Sequence, residues 1–320
     1  MTHAVNIQLV TPAPLKINNG NKITALRWAK ILKKLGHRVR IRQTYDGKPC
    51  DVLIALHALR SAESIRKFHE THPTKPLIVV LTGTDVYRDI HESNEAQQSL
   101  ELATRLVALQ YLALHELPKR FHDKTKVIYQ SAEPLLGIAK RHKDRFEVCV
   151  IGHLRDEKDP LRTALAVRDL PLRSRIVVTH IGLALDKAIE KEVKAEVKRN
   201  PRYRWLGQLS HPKTRALLAG SNLVTITSKM EGSSNVLSEA LASGVPVLAS
   251  KISGLMGTLG KRFIGYYPVG DTRKLQRLLV KAESDPRFYR ALNRQCRHFA
   301  RLVRPERELT AWRHLLNEIA

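Results

Sequence analysis

The chain has 320 residues, of which 43% are hydrophobic and 27% charged, a composition typical of globular protein and a length that suits two domains. Lys and Arg outnumber Asp and Glu by 55 to 30, and the resulting formal net charge of +25 favours an anionic partner or substrate. Aromatic residues make up only 5%, which argues against stacking platforms for single-stranded nucleic acid. No apolar run approaches the ~20 residues of a membrane span.

The chain contains three cysteines, Cys50, Cys149 and Cys296, and no CxxC motif. Cys149 lies in an apolar run, which predicts a free buried thiol. Met1 leads directly into a strand-like segment, without the pattern of a signal peptide. We therefore expect a cytoplasmic protein in a reducing compartment, with no structural zinc.

In the first part of the chain, apolar β-rich runs alternate with helical patterns. Five apolar residues of Ile23–Leu35 fall largely on one helical face, namely Ile23, Leu26, Ile31, Leu32 and Leu35. Gly36 follows as a C-terminal cap, and a second helix is predicted over Ala62–His69. This alternation indicates right-handed βαβ units around a parallel sheet. The predicted strands are Val5–Val10, Val39–Ile41, Val52–Leu56, Leu77–Leu81, Leu106–Leu109 and Val127–Tyr129.

A second series of strands follows a polar, basic stretch. We therefore predict an N-terminal domain over residues 1–130, a linker over 131–145 and a C-terminal domain over 146–304, followed by a helix over 305–320 that can pack back on the first domain. The fold expected is α/β, with two Rossmann-like doubly wound domains facing across a cleft and ligands bound outside the carboxyl ends of the strands. The predicted strands are Val148–Ile151, Ile176–Ile181, Tyr203–Leu206, Leu223–Thr227 and Val245–Ala249.

The most informative segment follows the predicted strand Leu223–Thr227 and opens a helix near Asn235. A helix N-terminus carries free N–H groups and a partial positive charge that suit a diphosphate. Glu239 lies about one turn into this helix, where it can accept hydrogen bonds from ribose hydroxyls, whereas Glu231 lies in the preceding loop, nearer a sugar. The alternative is an acid that favours its helix dipole and a solvated Glu. The donor-binding residues predicted here are Gly232, Ser234, Asn235, Val236 and Glu239.

Glu231 and Glu239 are separated by seven residues, and Ala-Leu-Ala-Ser-Gly-Val-Pro-Val follows them. This pattern resembles the E-x7-E signature of the family 4 glycosyltransferases, which have the GT-B fold. The resemblance implies that Glu239 binds the ribose of a nucleotide-sugar and that Glu231 contacts its hexose region as a catalytic residue. It implies UDP as the nucleotide and no metal, and no DxD motif follows a predicted strand.

A second segment with chemical character follows the strand Val148–Ile151. In the family a Gly here begins a loop, an Arg follows it, and a Lys comes five residues later, so that the cations neutralise the leaving diphosphate. Gly152 and Lys158 match that pattern, but His153 stands where the family has Arg. We predict Lys158 and Arg155 as catalytic residues, and Gly152 with His153 as donor-binding residues. The alternative makes the two cations solvated loop residues.

Candidate acceptor-binding residues lie at strand ends of the first domain. Gly20 lets the backbone approach a ligand closely, Asn21 can cap the following helix, and Lys16 and Lys22 flank that end. Other strand ends supply His57 with Arg60 and Thr84 with Asp85. For His57 and Asp85 a structural hydrogen bond is the alternative. The acceptor-binding residues predicted are Gly20, Asn21, Lys22, Thr24, His57, Arg60, Thr84 and Asp85.

Four blocks resemble a narrower group, the selenosugar synthases of selenoneine biosynthesis. They are G-N-K-x-T-A-L-R-W-A from Gly20, L-T-G-T-D-V-Y-R-D from Leu81, V-I-Y-Q-S from Val127 and G-H-L-R-x-x-K-D-P from Gly152. The resemblance covers roughly residues 5–305 and accounts for His153. It implies transfer of a hexose from UDP-glucose or UDP-GlcNAc to selenophosphate with formation of a carbon–selenium bond, and neither nucleic acid nor a stable membrane partner.

Two other readings remain open from the sequence. A family 4 transferase acting on a sugar or lipid hydroxyl keeps the fold and changes the acceptor, and the charge of +25, with a basic surface near Arg287–Arg307, would steer it to anionic membranes. A basic nucleic-acid-binding protein is motivated by net charge alone, because no helix-turn-helix, zinc-finger or ribonucleoprotein motif is present.

Overall fold

The computed structural model describes residues 4–12, 19–135 and 144–319. Residues 136–143 of the predicted linker and Lys16 lie outside this part of the chain. Two compact units are present: the first comprises Met1–Ser131, Glu231–Asn235 and Pro305–Ala320, and the second comprises Ala132–Met230 and Val236–Arg304. Glu231–Asn235 lie in the C-terminal domain predicted from sequence, whereas their contacts group them with the first unit.

The first unit contains a parallel sheet of six strands in the order β2-β1-β3-β4-β5-β6 among the described residues. All five residues of β3 and of β4 are buried, which is the pattern of strands covered on both faces. The strand order reverses at β1, between β2 and β3. The strands are β1 (Asn6–Val10), β2 (Arg38–Arg42), β3 (Val52–Leu56), β4 (Leu77–Leu81), β5 (Arg105–Ala108) and β6 (Thr125–Val127).

The second unit contains another parallel sheet, whose described strands follow the order β12-β11-β10-β7-β8-β9. Its direction of winding reverses between the neighbouring strands β7 and β10, which makes this the topological switch point of a Rossmann-type sheet. The strands are β7 (Phe146–Ile151), β8 (Ile176–Ile181), β9 (Tyr203–Trp205), β10 (Leu223–Ile226), β11 (Val247–Ser250) and β12 (Tyr266–Tyr267).

Helices alternate with these strands, as the sequence pattern predicts. None of those in the described residues combines the length and the apolar composition needed to cross a membrane. They are α1 (Gly20–Lys34), α2 (Ala62–Thr71), α3 (Ile90–Glu92), α4 (Asn94–Leu102), α5 (Arg162–Val167), α6 (Lys187–Arg199), α7 (His211–Gly220), α8 (Asn235–Ala242), α9 (Ser253–Leu259), α10 (Thr272–Ser284), α11 (Pro286–Ala300) and α12 (Pro305–Asn317), with a π-helical turn at Asp85–Asp89 and 3₁₀ turns at Tyr111–Glu116, Lys119–Phe121, Asp156–Lys158 and Arg301–Val303.

A buried carboxylate joins the first and last helices of the first unit. Glu308 of α12 accepts hydrogen bonds from Trp28 Nε1 at 2.6 Å, Arg27 Nε at 3.0 Å and Ser131 N at 3.0 Å, and from the Ser131 hydroxyl. Beside it the Trp28 and Trp312 rings meet edge to face, with centroids 4.7 Å apart. Both apolar packing and charge therefore hold α12 against α1.

The core of the second unit covers both faces of its sheet and includes Cys149 and Cys296, while Cys50 lies in the first unit. All three cysteines are buried free thiols, which confirms the prediction for Cys149. Burial raises the pKa of the Cys149 thiol to about 12 and so keeps it protonated near neutral pH.

Candidate active site

A small pocket lies at the carboxyl edge of the second sheet, at its topological switch point. Its walls include Gly152 and Lys158 from the segment after β7, and Thr225–Ser228 at the end of β10. Ligands of doubly wound sheets bind at this position, because the two loops that follow the neighbouring strands diverge there. Two residues predicted from sequence, Gly152 and Lys158, thus meet at the expected place.

Hydrogen bonds fix the loop that carries Lys158. The Thr227 hydroxyl donates to the Lys158 carbonyl at 2.7 Å, and the Lys229 amide donates to the Glu157 carbonyl at 2.9 Å. The Lys229 ammonium also lies 2.5 Å from an oxygen of Asp156. Because both backbone and side chains tie this loop to the end of β10, the backbone of Lys158 is fixed beside the pocket that its residue lines. A cation beside the pocket suits an anionic group that gains charge during a reaction.

Gly152 leaves space beside Lys158. A Cβ added at this residue would lie 3.7 Å from the Lys158 side chain, which is an ordinary contact distance, and its φ does not require glycine. Packing within the protein therefore does not demand a glycine at this position. The open backbone provides room for a ligand against the edge of the sheet.

His180, at the end of β8, holds the Gly152 backbone. Its Nε2 donates to the Gly152 carbonyl at 2.9 Å, and its Nδ1 accepts from the Tyr203 hydroxyl at 2.8 Å. Burial lowers the pKa of His180 to about 4, so its ring is neutral near pH 7. His180 was not predicted as a site residue, because a lone histidine within a strand gives no sign of its partner.

His153 and Arg155, the other predicted site residues of the Gly152 loop, differ in their surroundings. His153 Nδ1 accepts from the Leu183 amide at 3.0 Å, so its ring is anchored to the backbone of the sheet edge. Arg155 has a side chain 39% exposed, with Nε 3.8 Å from the Glu157 carboxylate. Arg155 is therefore more exposed to solvent than a residue that lines the pocket. Its catalytic role stays a prediction.

The helix predicted to open near Asn235 does begin at that residue, as α8. Val236 follows in its first turn and is half-buried, whereas Glu239 is 6% exposed. Glu239 Oε1 lies 2.6 Å from Nε2 of His211, the first residue of α7. This pairing was not predicted. The run Ser210-His-Pro after β9 does, however, read as a helix start, and it places a histidine at the same sheet edge.

Within the first unit, the segment Glu231–Asn235 packs against the turn after β4 and against α1. A Cβ on Gly232 would lie 2.1 Å from the Thr82 carbonyl oxygen, so close packing requires glycine here. Asn235 Oδ1 accepts from Arg27 Nη1 at 2.7 Å. Its Nδ2 donates to the Gly20 carbonyl at 3.2 Å and the Thr24 hydroxyl at 3.3 Å.

These contacts unite one predicted donor residue, Asn235, with two predicted acceptor residues, Gly20 and Thr24. Of the remaining donor and catalytic predictions, Glu231 is half-buried and Ser234 is buried. Arg27 was missed as a contact of Asn235, because the two residues lie 208 positions apart in the chain.

The N-terminal cap of α1 is Asn19, and the prediction of Asn21 as the cap is wrong. The helix begins at Gly20, so Asn21 already lies in its first turn, while the extended backbone of Asn19 brings its Oδ1 3.0 Å from the Lys22 amide. An N-cap needs this non-helical geometry in order to reach the second or third helical N–H.

His57, Arg60 and Thr84 come together beside the end of β3. His57 adopts φ 76°, in the left-handed region that is costly for a residue other than glycine. Its Nε2 lies 3.0 Å from the Thr84 hydroxyl and 3.6 Å from Asp89 Oδ2, and its Nδ1 accepts from the Arg60 amide at 3.3 Å. Burial lowers the pKa of His57, which favours its neutral form.

Asp85 has a structural role. Its side chain is fully buried, and its carboxylate accepts from the amides of Gly83 at 2.7 Å, Thr82 at 2.9 Å and Ala58 at 3.1 Å. These bonds fix the turn after β4 against the turn after β3. The geometry favours the structural alternative for Asp85 over the acceptor-binding role predicted from sequence.

Comparison with solved structures shows the fold. One similar structure is Anabaena Alr3699/HepE in complex with UDP-glucose, which is 16% identical, with a TM-score of 0.76, over 98% of this chain and 100% of that one. The sucrose-phosphate synthase of Thermosynechococcus elongatus is 16% identical, with a TM-score of 0.78, over 98% of both chains. A glycosyltransferase of Rickettsia africae is 15% identical, with a TM-score of 0.74, over 99% of both. The predicted α/β GT-B fold is confirmed.

A match to a family model identifies the family of the chain. The model described as "Glycosyl transferases group 1" matches residues 136–300, which is more than half of the 320 residues and includes the Gly152 loop, His211 and α8. Together with the Rossmann-type switch point and its Lys158 pocket, this match leads to one conclusion: the chain belongs to the group 1 glycosyltransferase family.

Proposed function

We propose that this protein transfers a hexose, glucose or N-acetylglucosamine, from a UDP-sugar to selenophosphate. The observation that carries the donor half of the proposal is the pocket of Gly152 and Lys158 at the switch point of the second sheet. A diphosphate placed there would meet the ammonium of Lys158. The complex of Anabaena Alr3699/HepE with UDP-glucose supports UDP as the nucleotide.

The reaction exchanges one bond at the anomeric carbon for another. The bond from that carbon to the diphosphate oxygen breaks, UDP departs with the electron pair, and selenium supplies the pair for the new carbon–selenium bond. Lys158, with Arg155 at the rim, would stabilise the charge that gathers on the departing diphosphate. Selenophosphate is already ionised near neutral pH, so its selenium can attack without a general base. Positioning of the two substrates then supplies much of the rate enhancement.

The acceptor half of the proposal rests on the four sequence blocks that resemble selenosugar synthases. Three of them lie in the first unit. Two of these three contain Gly20 and Thr84, where hydrogen bonds tie Asn235 to Gly20 and His57 to Thr84. Selenophosphate is a small polyanion. Lys22, in the first turn of α1, is the side chain proposed to bind it.

Metal independence is part of this proposal, since Lys158 and Arg155 would replace a divalent ion. In the described residues, no group of three or more His, Cys, Asp or Glu side chains is arranged to hold a metal. We expect EDTA to leave turnover unchanged, and loss of activity with EDTA would contradict this part. Cytoplasmic location and independence from membranes stay predictions.

A hydroxyl acceptor is the second candidate, because α11 exposes the arginines 287, 290, 294 and 297 on one face. That stripe would favour an acceptor carried on an anionic surface. The net charge that motivated a nucleic-acid-binding protein has no such specific feature behind it, and membership of an enzyme family accounts for the fold.

Mass spectrometry of reactions with the purified protein tests the proposal. The protein is incubated with UDP-glucose or UDP-GlcNAc and with selenophosphate, sugar hydroxyl acceptors or lipid hydroxyl acceptors. A hexose–selenium product that depends on Lys158 is expected. Products from hydroxyl acceptors alone would establish the second candidate.

The kinetics of Lys22→Ala test the acceptor site separately. This variant should raise the KM for selenophosphate much more than the KM for the UDP-sugar donor.

A further inference from the structure

The contact between His211 and Glu239 joins two helices that begin at the same edge of the second sheet. His211 is the first residue of α7, and Glu239 lies in the second turn of α8. Nε2 and Oε1 are 2.6 Å apart, a short and therefore strong hydrogen bond when the acceptor is a carboxylate. The His211 side chain is 40% exposed and that of Glu239 is 8% exposed, so the carboxylate is the buried member of the pair.

The two oxygens of Glu239 have different surroundings. Oε1 receives the imidazole N–H, whereas none of the residues that the structure describes donates a hydrogen bond to Oε2. Oε2 is also not among the enclosed polar atoms that lack a partner, so solvent or a ligand can reach it. A largely buried carboxylate thus has one oxygen anchored by the protein and one available as an acceptor.

We infer that His211 is a positioning residue for nucleotide binding, which fixes Glu239 so that its free oxygen accepts a hydrogen bond from the ribose hydroxyls of the donor. This inference rests on the proposed function, in which the donor is a UDP-sugar, and on the ribose-binding role that the sequence resemblance implies for Glu239. The imidazole removes the rotational freedom of the carboxylate before the nucleotide arrives. Preorganisation of this kind increases affinity because less conformational entropy is lost on binding.

A solvent-exposed ion pair without this role would contribute little, because such pairs have small net free energies. The pair differs from that case because Glu239 is buried and its charge requires a partner. Without the His211 donor, the carboxylate would turn toward water or lose its orientation. The consequence should appear as loss of ribose recognition rather than as loss of binding to the rest of the nucleotide.

The test compares the Kd values of UDP and of its 2′,3′-dideoxy analogue by calorimetry. For the wild type we expect the analogue to bind about 10- to 100-fold more weakly, the range for hydrogen bonds to a charged group. His211→Ala and His211→Phe should weaken UDP binding until the two ligands differ by less than about threefold, with the analogue's Kd almost unchanged. His211→Gln restores an N–H donor and should recover part of the discrimination.

Lys213→Ala is the matched control, since Lys213 is an exposed cation in the same helical turn. It should leave both Kd values at the wild-type level. Steady-state kinetics should show a raised KM for the UDP-sugar in His211→Ala with kcat little changed. His211→Phe keeps a ring at this position, so a folding defect confined to His211→Ala leaves the test decisive.

Wild-type discrimination retained in both His211→Ala and His211→Phe would overturn the inference and leave the proposed function in place. Failure of the wild type to bind UDP at all would overturn the proposed function and the inference with it. Glu239→Gln separates the two: loss of discrimination in this variant but not in the His211 variants would assign ribose binding to Glu239 alone.

Discussion

Replacement of Glu308 should unfold the first unit at lower denaturant concentration than in the wild type. The carboxylate is fully buried and accepts from Arg27, Trp28 and Ser131, with Arg27 Nε and Trp28 Nε1 at 3.0 and 2.6 Å. Glu308→Ala leaves all these donors without their acceptor, and it leaves the mostly buried Arg27 guanidinium without its counter-charge. Removal of one partner of a buried ion pair costs about 3–5 kcal/mol of unfolding free energy.

Glu308→Gln provides an intermediate case. The amide keeps the size of the side chain and one acceptor oxygen, but it lacks the charge and presents an N–H₂ group to the donors. We expect a loss of about 1–3 kcal/mol, the range for a disrupted buried hydrogen bond. Glu306→Ala, in the exposed first turn of the same helix, serves as the control and should change stability by no more than about 1 kcal/mol.

Urea denaturation followed by tryptophan emission is a suitable assay. Two of the three tryptophans, Trp28 and Trp312, lie beside Glu308, and the third, Trp205, is in the second unit. The fit must allow two transitions, because two units need not unfold as one. If Glu308→Ala shifts the first-unit transition no more than Glu306→Ala does, the carboxylate does not stabilise the α1–α12 contact and the reasoning is refuted.

Three further predictions concern the site and its supports. Lys158→Ala should lower kcat/KM by about 10²- to 10³-fold, as for other groups that stabilise a developing charge. In the same turnover assay, an effect no larger than that of the exposed control Lys261→Ala would exclude a catalytic role for Lys158. Gly232→Ala should destabilise the first unit by about 1–3 kcal/mol because its Cβ meets a backbone oxygen, whereas Gly152→Ala should leave urea unfolding unchanged and raise the KM for the donor. His180 has a pKa of about 4 in the folded protein, below its unfolded value of 6.5, so the unfolded state binds more protons between these pH values. The second unit should therefore lose up to about 3 kcal/mol of unfolding free energy as pH falls from 6.5 to 4. Urea titrations in which His180→Gln retains this loss would contradict the assignment.

Several elements could be predicted from sequence to the residue. The strands over 52–56, 77–81 and 176–181 have the predicted bounds. The first two are apolar runs that end at residues unsuited to a buried strand, and the third is rich in β-branched residues and ends before Gly182. Tyr266–Tyr267 was missed, since two residues are too few to show a period. The other predicted strands have ends that differ from the structure by at most two residues, where the pairing of neighbouring strands rather than composition sets the limit.

The sequence by itself indicated the fold class and the chemical character of the strand ends, including Lys158 and Glu239, and its motifs carried the resemblance to the family. These are local properties, because hydrophobic period, glycine placement and motif spacing are all read within a few residues. Tertiary structure alone decided which groups meet: the side chains of Glu308 and Arg27 across 281 positions, the Asn235 side chain and the Gly20 carbonyl across 215, and the side chains of His211 and Glu239 across 28. It also brought the Asp85 carboxylate to the Ala58 amide, 27 positions away. A hydrogen bond depends on distances of about 3 Å between groups brought together by folding, and no local pattern encodes them.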